Sequence, residues 1–190
     1  MFETIVDWLK ALLFGSRPEA ERHPSGTLPF PPGSGPARLL IMRHGEKTGD
    51  DADPHLSAQG QQRAARLASY IPQHFGTPDF LIAAKSSAKS QRPYDTLAPL
   101  ANALGLTIKE KFDDDETVAL AAHLGTSEKY AGKFTVIAWR HGNIPTLLAA
   151  LGAPDGSYPH AWDPAVFNLI LEVMYRDRAS PQVRQIVEPF

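Results

Sequence analysis

The feature that most constrains this sequence is a pair of matching turns. Leu39-Leu40-Ile41-Met42 runs directly into Arg43-His44-Gly45-Glu46, and Phe134-Thr135-Val136-Ile137-Ala138-Trp139 runs into Arg140-His141-Gly142-Asn143. Short, continuous apolar runs of this kind read as strands buried on both faces, as in a parallel sheet between layers of helix. Each run therefore delivers a guanidinium and an imidazole to the end of a sheet, where open α/β sheets place their ligands. Neutral imidazole is a nucleophile at physiological pH, and arginine is a permanent cation whose planar donor fork matches phosphate oxygens. The ligand this anticipates is a phosphoryl group. One Arg-His-Gly alone could be a strand and a turn whose histidine is satisfied by a backbone carbonyl, a reading that two copies weaken.

The elements between the turns alternate. A polar loop from Thr48 to His55, containing Asp50, Asp51 and Asp53, precedes an amphipathic helix from Leu56 to Ile71, with Ser57 as N-cap and Pro72 marking its end. Asp79 to Ala84 reads as a strand and about Ser90 to Leu104 as a helix with Arg92 at its start, where helix N-termini favour anions. Thr107 to Phe112 is a short strand, followed by a helical stretch to about Tyr130 with Gly125 as a point of interruption. After the second turn, Ile144 to Leu151 forms a short helix, and Val166 to Tyr175 and Val183 to Val187 form a late hairpin or edge pair. The expected fold class is α/β, a mainly parallel sheet flanked by helices on both faces.

Residues 37–190 are enough chain for one such domain. Before it, residues 1–14 form an amphipathic helical pattern and residues 15–36 a Pro/Gly-rich linker or surface arm, densest at Pro29-Phe30-Pro31-Pro32-Gly33-Ser34-Gly35-Pro36. The 1–14 segment is too short and too charged to span a membrane, and lacks the basic start and small-residue cleavage site of an export signal. A cytoplasmic location is expected on that ground. The segment is expected to pack on the domain or on a second subunit; contact with a membrane surface is the alternative, weakened by Lys10 being its only cation. A net charge of -2 gives no electrostatic footprint for nucleic acid. With no cysteine there is neither a thiol nucleophile nor a thiolate metal site, so chemistry must rest on His, Arg and carboxylates.

Arg43-His44-Gly45-Glu46, the Leu56-Ser57-x-x-Gly60 helix start, Arg92 with Thr96 four residues on, and His141-Gly142 after a late strand together resemble the histidine phosphatase superfamily, with its phosphoglycerate-mutase-like fold. The resemblance runs from about Ala37 onward and rests on the order and spacing of the motifs. It implies that His44 attacks phosphorus and is transiently phosphorylated while Arg43, Arg92 and His141 surround the transferring group. It also implies a supporting role for Glu46 and no cofactor. No metal is expected either: the histidines are not at metal-ligand spacing, and a dication would compete with the arginines for phosphate. Asn143 is expected to donate to phosphate or to a loop carbonyl, and Arg140 to serve as an ion-pairing neighbour.

A proton donor for the leaving group is expected from the Asp113-Asp114-Asp115-Glu116 loop, the assignment being shared between Asp115 and Glu116. Acidic residues before a helix can equally be capping and dipole partners. Asp163 could enter the pocket or form the turn before the Val166 strand, and His55 could face substrate or solvent. The expected function is metal-independent hydrolysis of a phosphomonoester, on a small molecule or a phosphorylated protein side chain, through a phosphohistidine on His44. A phosphomutase is the alternative among enzymes; the absence of a long capping insertion after Arg92 favours the hydrolase. A non-catalytic phospholigand-binding or scaffold protein is the alternative outside them.

Overall fold

A computed structural model of the protein describes residues 30, 31, 33–176 and 180–190. The expected helix over residues 1–14 and the linker before residue 30 lie outside the described residues. Strands β1 (Arg38–Arg43), β2 (Phe80–Ala83), β3 (Ile108–Lys109), β4 (Phe134–Trp139), β5 (Leu169–Met174) and β6 (Gln182–Val187) form one sheet in the order β3-β2-β4-β1-β5-β6. The first four are parallel where they pair; β5 runs antiparallel to β1 and to β6, completing the expected late hairpin.

The apolar run of β1 is continuous because both faces of the strand are covered. Leu39 and Ile41 point to one side, into a core with Leu120 and Leu124 of α3 (Thr117–Thr126) and Leu147 and Leu148 of α4 (Ile144–Ala150). Leu40 and Met42 point to the other, against Leu67 and Ile71 of α1 (Ala58–Phe75) and Leu97 and Leu100 of α2 (Arg92–Leu104). Burying each such side chain contributes roughly 1.5–3 kcal/mol, so the strand that carries the first Arg-His-Gly is held rigidly at the centre of the molecule.

Three expectations are corrected by packing. Helix α1 continues past Pro72 to Phe75, because a proline in the last turn removes little of the ladder while Phe75 still reaches the core; Gly76, at φ 86°, then ends it and donates to the Pro72 carbonyl at 3.2 Å. Gly125 does not interrupt α3. It lies within that helix, and a side chain there would collide with the Phe30 ring, which is buried against it and against Tyr175 at 5.0 Å between ring centroids. Strand β3 is reduced to Ile108–Lys109 at the sheet edge. Among the described residues, no helix is long and apolar enough to cross a membrane.

Candidate active site

Because β1 and β4 are parallel neighbours with Arg43 in register with Trp139, both Arg-His-Gly turns leave the same edge of the sheet. The His44 backbone N–H donates to the Trp139 carbonyl at 3.1 Å. The next N–H, from Gly45, donates to Thr96 Oγ1 at 2.9 Å, and that hydroxyl donates to the Arg92 carbonyl at 2.8 Å. One threonine thus ties the first turn to the helix start that carries the second arginine. From below, α1 presses its first turn onto the same loop: Gly60 lies so close that a Cβ there would stand 2.5 Å from the Glu46 carbonyl oxygen.

His44 is 6% exposed. Its Nδ1 is 2.7 Å from the Gly45 carbonyl, and a carbonyl can only accept, so Nδ1 carries the proton and Nε2 keeps its lone pair. Burial, against the opposing Gly45 hydrogen bond and with help from the positive charges of Arg43, Arg92 and His141, lowers the pKa of this imidazole to about 4. At neutral pH it is an uncharged, oriented imidazole with the chemistry a nucleophile needs.

The groups that depress His44 surround it. The Arg43 guanidinium stacks on the Phe167 ring at 3.6 Å from the centroid, and its Nη1 donates to the Pro164 and Val166 carbonyls. Arg92 donates from Nη1 to the Asp53 carbonyl at 2.8 Å. Burial lowers the pKa of Arg43 to about 10, and lowers those of Arg92 and His141 as well. Arg43 Nε, Arg92 Nε and His141 Nδ1 are all buried without a hydrogen-bond partner among the described residues. An unsatisfied buried polar group costs about 1–3 kcal/mol, and an oxyanion is a ligand that such donors can satisfy.

The 113–116 loop is pinned beside the second turn. The Asp114 carbonyl accepts from Trp139 Nε1 and from Asn143 Nδ2, both at 2.8 Å, and its carboxylate accepts from Arg140 Nη1 at 2.9 Å. Of the two partners expected for Asn143, the structure pairs it with the loop carbonyl. Arg140 forms the anticipated ion pair. Glu116 is exposed and turns back to accept the Asp113 N–H at 2.8 Å, whereas Asp115 is exposed with no hydrogen bond of its own among the described residues. Asp163 forms the turn before β5, accepting from Ala165 N–H at 2.8 Å, and His55 pairs with Asp95 at 2.8 Å.

Two groups around this site escaped the sequence reading. Phe167, under Arg43, lies just before β5 in a stretch read only as strand. Arg63, on α1, grips Glu46 through Nε at 3.1 Å to both carboxylate oxygens and through Nη2 at 2.7 Å, and its Nη1 reaches Glu188 at 2.5 Å and the Phe190 carbonyl at 3.1 Å. Burial alone would raise the Glu46 pKa; the Arg63 hydrogen bonds and charge overcome it and hold the carboxyl below its usual range. The signal available in the sequence was an arginine next to the Gly60, Ala64, Leu67 and Ile71 stripe of an amphipathic helix, where a charge needs a buried partner.

Residues 39–118 match the family model described as histidine phosphatase superfamily, branch 1. Over those residues the chain is similar to that superfamily. Its fold is similar to that of the protein histidine phosphatase SixA complexed with tungstate, with a TM-score of 0.60 at 14% identity over 79% of this chain and 96% of that one. It is also similar to native mycobacterial glucosyl-3-phosphoglycerate phosphatase, with a TM-score of 0.52 at 17% identity over 80% of this chain and 98% of that one. A protein described as mycobacterial hydrolase 1 gives a TM-score of 0.52 at 17% identity over 81% and 99%. These likenesses establish the phosphoglycerate-mutase-like fold. Among curated proteins, none matches this chain in sequence.

Proposed function

We propose that the protein is a metal-independent phosphatase that hydrolyses a phosphomonoester, carried by a small molecule or by a protein side chain, through a phosphohistidine on His44. The observation that carries this reading is the set of unpartnered buried nitrogens of Arg43, Arg92 and His141 around a neutral, oriented imidazole. The substrate phosphoryl group occupies the place those nitrogens define. Nε2 of His44 forms a bond to phosphorus as the bond to the leaving oxygen breaks, and the fixed cations hold the charge spread over the equatorial oxygens. Water then attacks the phosphohistidine, returning the imidazole and releasing orthophosphate.

The leaving oxygen needs a proton unless it departs readily as an anion. Asp115 is the better donor of the two assigned, because Glu116 is committed to the Asp113 N–H. The engaged or exposed state of this loop also favours a second reading, a phospholigand-binding protein without a working acid. Hydrolysis of an aryl phosphate in the presence of a chelator, comparing the native chain with His44→Ala, separates the two. Turnover abolished by the substitution is expected. A folded native chain that binds tungstate but turns over no ester would favour the binding protein, and turnover surviving in His44→Ala would remove His44 as nucleophile.

A further inference from the structure

Glu46 follows His44 by two residues and Arg43 by three, so a buried carboxylate stands inside the loop that builds the phosphate site. Such a carboxylate is a rival for the site's own cations: a carboxylate and a phosphate ask for the same guanidinium fork. Its charge is felt at Arg43, as that of Arg43 is at Glu46. Yet among the described residues, the side chain that hydrogen-bonds the Glu46 carboxylate is Arg63, which reaches it from α1. Among the described residues, the hydrogen bonds of the Arg63 side chain go to Glu46, Glu188 and the Phe190 carbonyl. It is fixed in turn by Glu188 and the Phe190 carbonyl, beyond β6, and by the close seat of Gly60 one turn earlier on the same helix.

We propose that Arg63 is a positioning residue for phosphate binding: by holding Glu46 in its fork, braced against Glu188, it keeps that carboxylate off Arg43 and leaves the free Arg43 donors to the phosphoryl oxygens. This rests on the phosphatase reading above. Without Arg63, the Glu46 carboxylate loses its partner while Arg43 remains within electrostatic reach, and an unpartnered buried carboxylate turns to the nearest donor fork. Glu188 belongs to the brace rather than to the competition, since among the described residues its side chain hydrogen-bonds Arg63 and no group of the loop.

The test compares the full chain with Arg63→Gln, Arg63→Gln/Glu46→Gln and Arg63→Gln/Glu188→Gln, using calorimetric binding of tungstate and aryl phosphate kinetics resolved into KM and kcat. Arg63→Gln is expected to weaken tungstate binding and raise KM by roughly tenfold, the middle of the range for coupled neighbours. Adding Glu46→Gln is expected to restore most of that loss, and adding Glu188→Gln to restore none. Unchanged tungstate affinity in Arg63→Gln overturns the proposal, as does equal rescue by both second substitutions, or by neither, which is what a purely structural arginine gives. Should Arg63→Gln fail to fold, Arg63→Lys with and without Glu46→Gln supplies the same comparison, because lysine keeps a charge but not the fork. A native chain that neither binds tungstate nor cleaves the ester overturns the phosphatase reading itself, and does so before any variant is made.

Discussion

Replacing His44 with glutamine should flatten the acid side of the protein's stability profile. In the unfolded chain this imidazole takes its proton near the ordinary pH of 6.5; in the folded protein burial and three neighbouring cations delay protonation to about pH 4. Between those values the unfolded state binds more protons than the folded one, so stability falls as pH falls through that window. Each pH unit of difference is worth 1.36 kcal/mol, and the separation of 6.5 - 4 = 2.5 units makes the full loss roughly 3 kcal/mol. The assay is urea unfolding of the native chain and of His44→Gln at pH 7 and at pH 4.5. The native chain should lose roughly 2–3 kcal/mol more than the variant over that interval. Other titrating groups cancel in the comparison, including Glu188, whose carboxyl burial pushes up to about 7 and whose protonation acts in the opposite sense. Parallel profiles, within about 0.5 kcal/mol, would refute the claim that His44 is held neutral by its surroundings.

Two further outcomes follow from the loop geometry. Gly60→Ala would set a methyl carbon 2.5 Å from the Glu46 carbonyl oxygen and 2.8 Å from its nitrogen; thermal unfolding should show a loss of roughly 1–3 kcal/mol, and phosphatase activity should fall with it as the Arg43–Glu46 loop is displaced. Thr96→Val keeps the shape of the side chain but leaves the Gly45 N–H without an acceptor; denaturation should register about 1–3 kcal/mol, and kinetics should show a lower kcat, because His44 loses its tie to the helix bearing Arg92.

The parts of the fold that could be read in advance are those where local pattern and tertiary demand agree. The Leu39 to Met42 run of β1 and all of β4 but Thr135 are apolar because both faces are covered, and the helix after β1 shows its buried stripe and its Ser57 cap openly. The parts that could not be read depend on partners distant in the chain. Proline at 72 signals a helix end locally, but a buried Phe75 outweighs it. Glycine at 125 signals a break locally, but what it provides is room for Phe30, ninety-five residues earlier. In the site, the Arg-His-Gly turns and Arg92 were legible because their chemistry is carried by adjacent residues. Arg63 and Phe167 were not, since an arginine on a helix flank and an aromatic ahead of a strand acquire meaning only from what lies opposite them. Nor could the sequence say which partner Asn143 would take, a choice made by the position of the Asp114 carbonyl.

The placing of β1 between β4 and β5 also bears on how the molecule comes into being. The strand that opens the described domain is flanked on both sides by strands from much later in the chain. During synthesis it therefore emerges long before either neighbour, with its backbone donors unpaired and its Leu39 to Met42 run open to water. The Glu188 that braces Arg63, and through it the first turn, arrives later still, just beyond β6. Disturbing β6 would thus reach the loop after β1, far away in sequence, through Glu188, Arg63 and Glu46.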